Sequence, residues 1–259
     1  MTSYLYRITC LTNLYVGSGD INFNIVDNEV EKDPTTGYPM IHASGLKGAI
    51  RSHCENNGEG AAVKAAVNEL FGKPATKEDA DTAGRLKFLD AYMLMRPMRL
   101  AESTTLASIP VTTLTALRQY VAWRAAFDPS FNAVPVPTLD FGNNAFLITP
   151  SQKGARVEGD STGVLTEEET SAIRSILGVE DFAIGKDLTT DYPLPVVARN
   201  QLENGVSKNL WYEEIVPHGT VFYFAVLDPQ NNNPLTFDRW VQIGGNASVG
   251  CGYCQIKAI

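Results

Sequence analysis

The chain has 259 residues, 44% of them hydrophobic and 19% charged, with a formal net charge of −8 at pH 7. That length fits one elaborated domain or two small ones, and no apolar run is long enough to span a bilayer. The acidic balance excludes a nonspecific nucleic-acid binder held by its overall field. A phosphate responds to charge within about 8–10 Å, so any nucleic-acid reading must name local cations. Cys10, Cys54, Cys251 and Cys254 form no disulfide framework. The opening MTSYLYRITC lacks the basic region and apolar core of a signal peptide, and a cytoplasmic setting is expected.

Tyr4 to Leu11 alternates large apolar and mixed residues and is predicted to be the first strand. A tight Gly17-Ser18-Gly19 turn follows, then an acidic, Asn-rich loop carrying Asp20, Asp27, Glu29 and Asp33. Ser44-Gly45-Leu46-Lys47-Gly48 reads as the mouth of a helix. Ser44 is placed to cap, Gly45 and Gly48 let a ligand approach the backbone, and Lys47 and Arg51 lie four residues apart on one face. Free amides and two cations at a helix start suit a phosphate. The same spacing also suits an ordinary glycine-rich strand-to-helix connection.

Gly60 to Gly72 is predicted to hold a second helix, with Val63, Ala66, Val67 and Leu70 as its apolar stripe. Residues 73–84 read as a polar surface loop and Arg85 to Met95 as a buried strand. Pro110 is placed near the start of a helix with Leu114, Leu117, Val121 and Ala125 facing inward. Asp128 to Gly159 suggests strands and turns. Thr166 and Glu169 have capping-box spacing before Ile173, Ile176, Leu177 and the stop at Gly178. Asn204-Gly205 marks a hairpin tip, Thr220 to Leu227 a strand, Phe237 to Gln242 a helical turn, and Tyr253 to Ile259 a last strand. Together these give an α+β fold around one sheet.

Several chemistries are absent. Gly17-Ser18-Gly19 lacks the third glycine of a dinucleotide fingerprint, and Gly72-Lys73 runs into Pro74. His42, His53 and His218 form no HExxH, and no GxSxG elbow exists. Cys251 and Cys254 have no second pair to complete a zinc site. Trp211-Tyr212, beside Glu213 and Glu214, suits either base stacking or core packing. Lys186, Arg199 and Lys208 bracket the same hairpin, as backbone-tracking cations or as a solvated surface.

Three separated blocks carry a family resemblance. The first is Leu14-Tyr15-Val16-Gly17-Ser18-Gly19 with Val26-Asp27-Asn28, Asp33-Pro34-x-Thr36-Gly37, Ser44 to Gly48 and Arg51. The second is Asn209-Leu210-Trp211-Tyr212-Glu213-Glu214 with Pro217. The third runs from Gln242-Ile243-Gly244-Gly245-Asn246-Ala247 to Gly250-x-Gly252. In these blocks the chain resembles RAMP proteins, specifically the backbone subunit of the type III-B CRISPR (Cmr) effector complex. Residues 55–185 resemble the family only loosely.

The resemblance implies a single RAMP domain over 1–259, with a modified ferredoxin-like (RRM-like) core and long insertions. A flexible loop region over 14–41 would carry the catalytic residue, and a hairpin thumb would occupy 187–213. Asp27 matches the aspartate that cuts target RNA in a divalent-metal-dependent reaction, with Mg²⁺ or Mn²⁺ as the expected cofactor. Ser44, Gly45, Lys47, Arg51, Arg199, Asn209, Trp211, Gly244, Gly245 and Asn246 would contact RNA. The implied partners are a CRISPR RNA guide, its complementary target, further copies stacked along the guide, and other Cmr subunits, with no membrane. Tyr15 stands where family members commonly carry His, and His42-Ala43-Ser44-Gly45 replaces the usual Pro-Gly-Ser-Ser. The type III-A (Csm) paralogue shares part of the pattern, and a guide-binding scaffold that does not cut is the rival reading.

Overall fold

A computed structural model of the chain describes residues 1–19, 26–57, 60–73, 80–189, 191–232 and 235–259. Asp20 and residues 74–79 of the predicted 73–84 loop lie outside the described residues. In chain order the elements begin with β1 (Thr2–Cys10), β2 (Met40–Ile41), α1 (Ala43–Asn56), α2 (Ala61–Phe71), β3 (Gly72–Lys73), β4 (Thr82–Ala83) and β5 (Lys87–Phe88). They continue with β6 (Ala91–Ala101), β7 (Ser108–Thr113), α3 (Leu114–Phe127), β8 (Phe146–Ile148), β9 (Arg156–Val157), β10 (Thr162–Val164) and α4 (Glu167–Leu177). The last are β11 (Ala183–Gly185), β12 (Val196–Glu203), β13 (Val206–Glu214), β14 (Val221–Asp228), β15 (Val241–Gln242) and β16 (Tyr253–Ala258). The mixture of helices with parallel and antiparallel strands is α+β. Two compact units emerge, one of residues 1–92, 194–218 and 223–259, the other of 93–193 and 219–222.

In the first unit β1 lies between β14 and β16, and β15 follows on the far side of β16. Tyr6, Ile8 and Cys10 alternate inward along β1, as a half-buried strand requires. Tyr6 stacks on Phe224 at 5.1 Å and meets Phe237 edge-on at 5.5 Å, a geometry aromatic quadrupoles favour. Helix α1 buries Leu46 and Ile50, while α2 buries Val67 and Phe71 and leaves Ala66 exposed. The expected helical turn at Phe237 to Gln242 is not present. Val241 and Gln242 pair instead with Cys254 and Tyr253 as a short strand, because the last strand offers them an open edge. Cys10 and Cys254 face each other in this sheet as buried thiols. The hydrogen bond between them, with burial, pushes the Cys10 thiol up, so both act as packing residues.

In the second unit the strand order is β10-β8-β11-β7-β6, with β9 also on β6. Pro110, expected near a helix start, sits within β7 opposite Pro97 of β6. The neighbouring ladder bond from the Leu100 amide to Ala107 makes this a position whose amides are not needed for pairing. Two residues without N–H groups therefore remove no bond from the β6–β7 ladder. The helix begins four residues later, capped by Thr113, whose hydroxyl accepts from the Ala116 amide at 3.1 Å. The shift turns Ala116, Leu117 and Tyr120 inward and leaves Ala125 exposed.

Helix α4 follows its sequence signals closely. The Thr166 amide donates to Glu169 at 2.8 Å, the Glu169 amide donates to Thr166 at 3.2 Å, and Gly178 closes the helix in the left-handed region at φ 67°. Thr166→Ala removes an acceptor for an orphan helix amide. We expect a loss of about 1 kcal/mol in urea unfolding, with Thr166→Ser close to wild type. Equal midpoints for the Ala and Ser variants would show that the box does not contribute.

Candidate nucleic-acid interface

The hairpin of β12 and β13 turns at Asn204 and Gly205, both at positive φ (51° and 79°), the geometry of a tight two-residue turn. Its root holds Asp27. The Asp27 and Asn28 amides both donate to the Tyr212 carbonyl at 3.1 Å, and the Tyr212 amide donates back to Asp27 Oδ2 at 2.8 Å. The Glu214 amide completes the rung by donating to the Asn28 carbonyl at 2.8 Å. One carboxylate oxygen of Asp27 is thus tied to backbone, while the residue as a whole is exposed.

The described part of the 14–41 region is knitted together. Val30 and Lys32 both donate to Glu214, at 3.1 Å and 2.9 Å. Asp33 is buried and accepts from the Thr35 amide and the Thr36 hydroxyl, shaping a local turn. Glu31 lies 3.1 Å from His42. Asp27, Glu31 and Asp33 thus have distinct surroundings, and Asp27 is the exposed carboxylate of the three.

Three expected RNA contacts converge on one buried acid. Glu213, 6% exposed, accepts from Trp211 Nε1 at 2.8 Å, Arg199 Nε at 3.1 Å and Asn246 Nδ2 at 2.9 Å. The carboxylate joins both hairpin strands to the late glycine loop, so these polar groups hold that loop against the hairpin root. The sequence shows Glu213 and Glu214 as neighbours of an aromatic pair but not their partners, which lie up to 33 and 184 residues away. Two adjacent acids at the inner end of an apolar strand were the available signal. Asn209 lies outside this network, exposed near the hairpin tip.

The mouth of α1 differs from the expected anion cradle. Its N-cap residue is His42, Ser44 makes no capping bond, and the Asp90 carboxylate already accepts from the Ala43 amide at 2.7 Å. Arg51 donates to Glu55, Asn68 and the Gly72 carbonyl at 2.8–2.9 Å, tying α1 to α2. Ser44 and Gly45 are exposed and Lys47 half-buried. A cavity of about 250 Å³ places Ser44 and Gly45 beside Tyr15, Gly17, Gly244 and Gly245, bringing the helix mouth and the late glycine loop together. Burial, and then the Glu213 charge, push the Tyr15 phenol up, so it stays protonated and serves as a donor.

Only some of these glycines are required by the fold. At Gly244, with φ 77°, a Cβ would run into the Tyr15 carbonyl oxygen, and at Gly17 it would lie 2.6 Å from the Tyr15 hydroxyl. At Gly45 and Gly48 a Cβ meets nothing within 4 Å. Glycine inside a helix costs roughly 0.5–1 kcal/mol relative to alanine, so the fold itself gains nothing from these two.

The RAMP superfamily profile matches residues 7–255. The chain belongs to the RAMP superfamily. Among superfamily relatives, it is 25% identical to the CRISPR system Cmr endoribonuclease Cmr4 of Pyrococcus furiosus, over 99% of this chain and 95% of that one. It is 23% identical to the CRISPR system CMR subunit Cmr4 of Saccharolobus solfataricus, over 97% and 95%. The fold is similar to a chain of the type III-B Cmr-beta complex in its apo state, with a TM-score of 0.76 at 20% identity, covering 100% and 97% of the two chains. It is likewise similar to oligomeric Cmr4 from Pyrococcus furiosus, with a TM-score of 0.69 at 18% identity over 100% and 98%.

Two substitution classes separate shape from contact. Gly45→Ala and Gly48→Ala should raise the stability of the chain alone by about 0.4–1 kcal/mol. Gly244→Ala should lower it by more than about 1 kcal/mol, and Glu213→Ala by about 3 kcal/mol, since Arg199 loses its carboxylate. Urea titrations of the four variants check the order, and a stability loss at Gly45 would show an internal packing role.

Proposed function

We propose that this chain is the repeating backbone subunit of a type III-B CRISPR effector complex, which holds a CRISPR RNA guide and cuts complementary target RNA. The carrying observation is Asp27, an exposed carboxylate fixed by the Tyr212 backbone at the root of a projecting hairpin. The relatives named as Cmr4, one of them an endoribonuclease, match the chain over nearly its whole length. On this reading the hairpin is the thumb that interrupts the guide–target duplex, and other Cmr subunits complete a cytoplasmic complex. The core is a modified ferredoxin-like fold, supported by β1 between β14 and β16 with α1 following β1 in the chain.

The chemistry follows from position. The 2′-hydroxyl of RNA can attack its own adjacent phosphate once the nucleotide is splayed into line, and a thumb that unstacks the duplex supplies that alignment. Asp27 then orients the hydroxyl and accepts its proton as the 2′-oxygen bonds to phosphorus, while the P–O5′ bond breaks to leave a 2′,3′-cyclic phosphate and a 5′-oxygen that takes a proton from water. Its tether to the Tyr212 amide keeps the carboxylate in place. Tyr15 is suited to donate a hydrogen bond but not to act as a base.

Guide contact is assigned to Ser44, Gly45, Lys47 and the exposed backbone of Gly244 and Gly245, with Asn209 on the thumb. Arg199, Trp211 and Asn246 shape that surface through Glu213, and Arg51 supports it from between the helices. A resident metal does not fit: among the described residues no three His, Cys, Asp or Glu side chains cluster, and Asp27 has one oxygen already engaged. Mg²⁺ or Mn²⁺ is therefore proposed to arrive with the RNA phosphates, and no step is routed through it.

Asp27→Asn should assemble and capture target like wild type, because its amide oxygen can still accept from the Tyr212 amide, and Asp27→Ala should do so at a cost of about 0.5–1.5 kcal/mol for that lost bond. Cleavage of a complementary RNA, resolved on a gel, should fall by orders of magnitude in both, while Glu29→Ala keeps its rate. Intact cutting by Asp27→Ala would leave a guide-holding scaffold whose chemistry lies elsewhere.

A further inference from the structure

The cavity between the mouth of α1 and the late glycine loop has an acidic wall. Besides Tyr15, Ser44 and the loop glycines, Glu31 and His42 line it, and no lysine or arginine is among its described lining residues. Glu31 is set firmly in the backbone: its amide donates to the Val16 carbonyl at 2.8 Å, and its carbonyl accepts from the Met40 amide at 3.0 Å. Glu31 Oε1 lies 3.1 Å from His42 Nε2. The other ring nitrogen of His42, Nδ1, lies 3.6 Å from Asp90 Oδ1. Glu31 Oε2 takes no hydrogen bond from the described residues, and the side chain keeps 22% of its surface accessible.

This lining sorts what can enter. A phosphate brought against Glu31 meets like charge. His42 does not reverse that, because it stands between two carboxylates, Glu31 and Asp90. A neutral group that donates a hydrogen bond to Oε2 is favoured instead, and a bond to an ionised acceptor is roughly twice as strong as a neutral one. Lys47 is not among the lining residues, so its phosphate contact falls outside the cavity.

We propose that Glu31 accepts a hydrogen bond from the 2′-hydroxyl of a guide nucleotide, and that this contact lets the subunit tell an RNA guide from DNA. The inference rests on the guide-holding function proposed above. A subunit repeated along a guide meets whatever base lies at its position, so a fixed contact must be to a group that every nucleotide carries. Phosphate is disfavoured beside Glu31, and the 3′ and 5′ oxygens of an internal nucleotide are esterified and have no hydrogen to give. The 2′-hydroxyl is the common group that remains. It both donates and accepts, and DNA lacks it. The cavity meets both needs. Glu31 accepts, and Tyr15, whose phenol stays protonated, lines the same wall as a donor to the 2′-oxygen.

The test measures binding to the full chain by fluorescence anisotropy at one fixed salt concentration. Two labelled single strands of identical sequence are compared, one of RNA and one with 2′-fluoro in place of every 2′-hydroxyl. Fluorine keeps the RNA-like sugar pucker but donates no hydrogen bond. Wild type should bind the RNA tighter by about tenfold or more, the effect of a hydrogen bond to a charged acceptor. Glu31→Ala should cut that ratio by about tenfold, through weaker binding of the RNA strand alone. Glu31→Gln keeps the shape and offers a neutral acceptor, so its ratio should fall between the two. Circular dichroism checks the fold, and Glu31→Gln decides alone if the alanine variant unfolds. A wild type that binds both strands alike, or a ratio that the substitutions leave unchanged, overturns the role of Glu31 while the guide-holding function stands. Equal tightening of both strands in the variants also overturns it, because the carboxylate would then only repel the nucleic-acid backbone. A wild type that binds neither strand overturns the guide-holding function and this inference together.

Discussion

The Glu213 carboxylate is the interaction on which the rest of this site depends. Three donors from three stretches of chain, Arg199, Trp211 and Asn246, meet on its two oxygens at the root of the hairpin. A buried acid is costly unless its lone pairs are filled, and here charged and neutral donors fill them together. Because β13 alternates, Glu214 points to the opposite side and receives Val30 and Lys32, while the Tyr212 backbone just before them takes Asp27. Three consecutive residues thus fix the hairpin, the glycine loop and the candidate catalytic segment in one frame.

This arrangement changes what the positively charged residues do. Arg199 and Arg51 are the cations one would assign to RNA, yet their donors are engaged by protein groups. Half-buried Lys47 remains, together with a cavity lined by the exposed residues Ser44, Gly45, Gly244 and Gly245. On the proposed reading, an acidic chain would hold a guide by close backbone approach more than by a basic field. Gly45 and Gly48 fit that account, because they keep space open that none of the described residues fills.

Local signals were legible in the sequence wherever the cause was local. The capping box at Thr166, the stop at Gly178 and the turn at Asn204-Gly205 depend on residues within a few positions, and each forms as expected. Pro110 misled because its role is set by Pro97, thirteen residues away across a strand pair. The same limit hid the site. Asp27 could be singled out from its motif, but its contact with Tyr212, Glu213's three donors and Asp90's occupation of the α1 amide are pairings between distant segments. Asp90 in particular turns an apparent anion cradle into a helix end that is already capped.

On the proposed function, the geometry also constrains how cutting would be coupled to assembly. Asp27 is held by hydrogen bonds to β13 and not by a loop of its own, so its position follows the hairpin. Any partner that presses on the hairpin therefore acts directly on the carboxylate through the Tyr212 backbone. If the duplex is opened by the hairpin, the residue that aligns the nucleotide and the residue that accepts its proton move as one body. Such coupling would fix the distance between the wedge and the cut, and on the proposed reading a regular interval between cuts would follow from the regular spacing of copies, without any recognition of target sequence.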